Sequence, residues 1–106
     1  MKQKLYLPIP AENALLKLGS DICDARRRRR ITMALLAERA RITVDTLKRI
    51  ESGNPATSIG GYASVLYSLG MTGRLSDIAD CRYDLTGLQL EEENLPKRIR
   101  MSKKRF

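Results

Sequence analysis

The chain has 106 residues, 42% hydrophobic and 5% aromatic, and its 20 Lys and Arg against 12 Asp and Glu give a formal net charge of +8. That length accommodates one compact core with short arms and excludes two independent ones. Histidine is absent and the cysteines are two, Cys23 and Cys81, which excludes imidazole acid–base chemistry, histidine metal ligation, a thiolate zinc site and a disulfide framework. No early segment has a signal-peptide h-region, and no apolar run approaches the length of a membrane span. A cytoplasmic chain with reduced cysteines, no cofactor and no membrane partner is the expectation.

In chain order, residues 1–10, MKQKLYLPIP, read as an N-terminal arm. Leu5, Leu7 and Ile9 alternate, but Pro8 lacks a ladder donor, so a strand here is short or at an edge, with a frayed terminus as the alternative. From Ala11 the spacing turns helical: Leu15, Leu18, Ile22 and Ala25 fall on one face, and the helix carries Arg26 to Arg30 in its last turns, where the macrodipole favours cations. Five consecutive arginines cannot share a face, so some meet a partner and others solvent. Cys23 reads as a buried helix position, and Cys81 as exposed with no catalytic pair near it.

Thr32 is placed to cap a second helix, Met33–Ala40, which Arg41 and Ile42 interrupt. Thr43 caps a third, Val44–Ser52, closed by Gly53 and Pro55. Ser58 caps a fourth, carrying Ile59, Tyr62, Leu66 and Leu69 and ended by Gly70, and a fifth covers about Arg74 to Ala79. Beyond Asp80, Leu88 to Leu90 alternate as a short strand would. No internal repeat is apparent. The organisation expected is an arm (1–10), a helix-turn-helix domain (11–80), a dimerisation strand or extension (81–95) and a basic tail (96–106).

The charge is segregated. Residues 1–25 are neutral, residues 26–49 carry +7, residues 50–95 carry −5, and the last eleven carry +6. This pattern implies two functional surfaces and an anionic partner. The second and third helices are too short to stand alone in water and depend on packing. Ala37 suits a close helix crossing, with Ile42, Leu47 and Ile50 filling the angle between the two helices. Val44, Asp45, Thr46, Lys48 and Arg49 are left outward on a capped helix, the geometry of a reading helix entering a major groove.

The run ITMALLAERARITVDTLKRIESG resembles the helix-turn-helix of the Xre family, the lambda-repressor-like group of DNA-binding domains, over roughly residues 15–80. With SIGGYASVLYSLGM, DIAD and GLQLEEENLPKRIR, the resemblance extends to about residue 100 and points to the HipB-like members, antitoxin repressors encoded beside HipA-type kinase toxins. It implies an all-α, five-helix domain with a possible short C-terminal strand for dimerisation. It puts Thr43 through Thr46 and Lys48 or Arg49 where the family contacts DNA, so Thr43, Val44, Asp45, Thr46, Lys48 and Arg49 are the candidates for base reading; the candidates for phosphate contact are Arg26, Arg27, Arg28, Arg29, Arg30, Thr32, Met33 and Arg41. The partners it implies are a palindromic double-stranded DNA operator, a second copy of the chain and a HipA-type kinase toxin. Two departures stand out. Met33 replaces a common glutamine and cannot make its hydrogen bond, and Arg41 replaces a turn glycine, so that the turn is strained or adopts another conformation.

Bland readings stand beside these. The arginine run is a solvated face or a phosphate contact, and its place directly before the helix-turn-helix favours the second. Asp45 can accept from cytosine, repel phosphate or help cap its own helix. The tail contacts DNA, contacts a toxin or is solvated. Leu85, Leu88 and Leu90 close the core or form a shared dimer sheet. An enzyme is not expected: there is no phosphate loop, no histidine for a nucleophilic triad, and Glu91 to Glu93 lack a pocket. The alternative to a repressor is a protein-binding adaptor or antitoxin with weak or no specific DNA binding.

Overall fold

A computed structural model describes residues 6–94. Among them the chain is all-α: α1 (Ile9–Arg28), α2 (Met33–Ala40), α3 (Val44–Glu51), α4 (Ile59–Ser68), α5 (Thr72–Ser76), a 3-10 turn at Cys81–Tyr83, and α6 (Leu85–Glu93). Two compact units are distinguished, one ending at Leu75 and the other starting at Ser76.

In the first unit, α1 starts before Ala11. Pro8 occupies the N-cap and Pro10 the first turn, where a missing N–H costs nothing and a fixed φ suits the helix, so Ile9 and Pro10 belong to α1 and not to an arm. Three further helices start on hydroxyl caps: the side chains of Thr32, Thr43 and Ser58 accept from the backbone N–H of Leu35, Thr46 and Gly61. Helix α2 packs on α3 and α4, and α3 packs on α1 and α4. Ile22, Ala25, Leu36, Ala37, Ala40, Leu47, Ile50, Tyr62, Val65, Leu66 and Leu69 form the buried core, with Ile31, Met33, Ile42, Met71 and Leu75 packed against it. Tyr62 adds a polar tie, its hydroxyl donating to the Asn54 carbonyl at 2.8 Å. Burial pushes its phenol above the usual range.

Helices α1 to α4 all close in the same way. A left-handed residue donates three residues back, and its successor donates five back. The paired bonds are Arg30 N–H to Arg27 (2.9 Å) and Ile31 N–H to Arg26 (3.4 Å), then Arg41 to Glu38 (3.1 Å) and Ile42 to Ala37 (3.0 Å). After α3 they are Gly53 to Ile50 (3.0 Å) and Asn54 to Arg49 (2.9 Å), and after α4 Gly70 to Tyr67 (3.0 Å) and Met71 to Leu66 (2.8 Å). The φ values are 56° and 59° at the two arginines and 74° and 78° at the two glycines. A left-handed side-chain-bearing residue costs roughly 1 kcal/mol relative to glycine. The turn at Arg41 therefore keeps the geometry a glycine would give and carries the strain. The sequence Arg-Ile-Thr builds it twice, at 30–32 and 41–43: a short repeat that the sequence does contain.

Helix α1 meets the end of α3 through two glycines. A Cβ on buried Gly19 would lie 2.6 Å from Gly53 N and Ile50 O, and one on Gly53 would lie 2.6 Å from Leu15 O. Only bare backbone fits on both sides.

The C-terminal expectations are corrected. Among the described residues there is no strand: residues 85–93 form α6, because the Asp84 carboxylate accepts from the Gly87 N–H at 3.0 Å and starts a helix where alternation over three residues implied an extended segment. Among the described residues there are six α-helices instead of five. Leu85, Leu88 and Leu90 are exposed, so they do not close a core either. The fifth helix runs over Thr72–Ser76 and not 74–79, leaving Ile78 outside it and exposed. Cys23 is half-buried, short of the burial expected, and Cys81 is exposed. The basic tail, 96–106, and the first half of the arm lie outside the described residues.

Candidate nucleic-acid interface

Helix α3 has two faces with different work. Leu47 and Ile50 are fully buried, and Ile42 packs on the core from the preceding turn. Val44, Asp45, Lys48 and Arg49, spaced to share the opposite face, are exposed. Asp45 stands one turn from Lys48 and Arg49, yet among the described residues none of the three forms an ion pair or a side-chain hydrogen bond. Thr46 is half-buried and engaged: Thr43 Oγ1 accepts from its N–H at 3.1 Å and donates to its Oγ1 at 3.0 Å. It orders the first turn of α3 more than it projects from it. Thr43→Ala and Thr32→Ala should each lower stability by about 1 kcal/mol in urea denaturation, the usual cost of a lost hydroxyl cap.

The arginine run divides by helix phase. Arg26 turns inward, its Nε donating to Glu51 Oε2 at 2.8 Å, Nη2 to Glu51 Oε1 at 3.2 Å and Nη1 to the Ile31 carbonyl at 3.1 Å. The two side chains are 12% and 8% exposed, so this forked pair is shielded from solvent. The hydrogen bonds to Glu51 hold the guanidinium pKa above its ordinary value, against the opposing effect of burial. Arg29 is engaged too, donating to the Ala25 and Leu69 carbonyls, each at 2.9 Å, near the ends of α1 and α4. Both arginines thus serve the fold. Arg27, Arg28 and Arg30 are exposed, with no side-chain partner among the described residues.

Of the other phosphate candidates, Thr32 spends its oxygen on the Leu35 N–H and Met33 packs on the core, whereas Arg41 is exposed. Ala37 is buried in the core. Among the described residues, the cations of this unit without a side-chain partner are Arg27, Arg28, Arg30, Arg39, Arg41, Lys48 and Arg49, all from segment 26–49, where only Glu38 and Asp45 carry opposite charge, and Arg74.

No family model, curated protein or solved structure matches the chain. The Xre-family resemblance therefore rests on the residues that carry it. Among the described residues, no helix is long and apolar enough to cross a membrane.

The second unit holds a different surface. Ile78, Tyr83, Leu85, Leu88 and Leu90 are exposed, and no residue of its 3-10 turn or of α6 is buried. Arg82 absorbs part of the acidic charge: it donates to Asp80 at 3.0 Å and Asp77 at 3.4 Å and lies 5.3 Å from the Tyr83 ring centroid. These bonds from Arg82 hold the Asp80 carboxyl below the usual range. Glu91 to Glu93 have no partner among the described residues.

Three structural features lie outside the sequence reading. Arg26 and Arg29 fall in helical phase with the buried Ile22 and Ala25, which is the signal in the sequence for their engagement by the fold. The Gly19–Gly53 contact had a weaker signal, a helix-interior glycine with no local reason to be there.

Proposed function

We propose that the chain is a homodimeric, sequence-specific DNA-binding repressor and, following its HipB-like resemblance, the antitoxin of a HipA-type kinase toxin that autoregulates its operon. One observation carries the DNA-binding part: α3 offers Val44, Asp45, Lys48 and Arg49 to solvent, uncommitted to any partner among the described residues, while Leu47, Ile50 and Glu51 fix its other side. A helix held rigidly from behind can present base-reading groups without a backbone-ordering cost. Lys48 and Arg49 are of the types that donate to guanine O6 and N7, and Asp45 is of the type that accepts from a cytosine amino group. Arg27, Arg28, Arg30 and Arg41 supply sequence-independent affinity through phosphates. One α3 covers only a few base pairs, so two copies related by a two-fold axis would read a palindrome with half-sites about 34 Å apart. Occupancy of the operator is then sufficient for repression.

The adaptor reading is favoured by one specific feature, the exposed apolar side chains of the second unit, which suit a protein partner. A second copy and a toxin both answer that description, and the toxin follows from the resemblance alone.

Titration of the duplex upstream of the gene and of a scrambled duplex tests the division of labour. Lys48→Ala or Arg49→Ala should weaken the upstream duplex about ten-fold more than the scrambled one. Arg28→Ala should weaken both equally and reduce the slope of log affinity against log salt by about 0.9. Uniform effects from every substitution would leave α3 without a reading role and favour the adaptor.

A further inference from the structure

Four helices of the first unit end in the same left-handed turn, and the residue chosen differs by location. Helices α3 and α4 close on Gly53 and Gly70, while α1 and α2 close on Arg30 and Arg41. At Gly53 a Cβ would strike the backbone of Leu15, so glycine is required by space. At Gly70 nothing lies within 4 Å of the Cβ position, so glycine is there for its conformation alone. Arg30 and Arg41 adopt that same conformation, and both side chains are exposed without a hydrogen bond or ion pair among the described residues. Neither guanidinium repays the fold for the backbone strain, unlike Arg26 and Arg29, which hold protein atoms. Strain kept at two equivalent positions, both within the segment of charge +7, marks the side chains as serving something outside the fold.

We propose that Arg30 and Arg41 are a matched pair of phosphodiester contacts to duplex DNA, held at the two ends of α2 in positions where glycine would make the protein more stable. This rests on the DNA-binding reading above and sharpens it: of the basic side chains of segment 26–49, these two exchange stability for affinity. Helix α2 has eight residues and is about 12 Å long, so the two arginines share no local environment and act independently.

The test compares Arg30→Gly, Arg41→Gly, the double variant and the corresponding lysine variants of the full chain. Each glycine variant should melt about 4 °C higher. Each should also bind the upstream and scrambled duplexes several-fold more weakly at physiological salt, with the salt slope reduced by about 0.9, and by about twice that in the double variant. The lysine variants, which keep both charge and strain, should retain the slope and gain no stability. Glycine variants that melt higher yet keep wild-type affinity and slope would overturn the proposal while leaving operator preference intact. Glycine variants that melt lower would overturn it as well, since no strain would then be relieved. A wild-type protein that binds upstream and scrambled duplexes equally, with slopes that still fall in the glycine variants, would support these contacts while removing the sequence-specific reading.

Discussion

Gly19→Ala is expected to lower the unfolding free energy by roughly 3 kcal/mol, at the upper end of what overpacking a tight contact costs. The added methyl would sit 2.6 Å from Gly53 N and Ile50 O and 2.7 Å from Glu51 O. All three are backbone atoms, so no side chain can swing aside, and relief requires α1 and the end of α3 to separate. Gly53→Ala meets the Leu15 and Leu16 backbone from the other side and adds left-handed strain of roughly 1 kcal/mol. Denaturant unfolding followed by circular dichroism measures both. A Gly19→Ala protein within about 0.5 kcal/mol of wild type would mean that the two elements slide apart freely, which contradicts a close backbone contact between Gly19 and Gly53.

The second large effect concerns Arg26 and Glu51. Removing either partner strands the other in a shielded site, and Arg26→Ala or Glu51→Ala should each cost about 3 kcal/mol. The double variant should cost much less than the two single losses combined, because the stranded charge is the main penalty. A replacement by apolar side chains, Arg26→Met with Glu51→Leu, should recover most of the stability. Since Glu51 is the last residue of α3, the clamp also fixes where α3 points. Glu51→Ala should therefore lose preference between duplexes at temperatures where it remains folded. Additive losses in the cycle would show that the pair is not coupled.

These two features were the least legible in the sequence, for related reasons. A glycine contact becomes visible only when two segments thirty-four residues apart meet. The engagement of Arg26 and Arg29 follows helix phase, but a run of five arginines suppresses the apolar signal by which phase is usually read. The short helices were legible because their chemistry is local: Thr32 with the apolar positions that follow gives α2 its bounds, and Thr43 does the same for the start of α3. The C-terminal segment misled because Leu88 and Leu90 alternate, while the signal that decides it, Asp84 three residues before Gly87, is a helix cap. For the candidate site, type and spacing identified the exposed face of α3. They did not identify which arginines the fold consumes, because that depends on the positions of Glu51 and the Leu69 carbonyl.

The role proposed for α3 is to read DNA sequence. Its most direct test is the affinity of the purified full chain for the duplex upstream of its own gene against a scrambled duplex of equal length and composition, both at physiological salt. A preference of about a thousand-fold or more is expected of a specific dimeric reader. Equal affinity for the two duplexes would contradict a reading role for Val44, Asp45, Lys48 and Arg49.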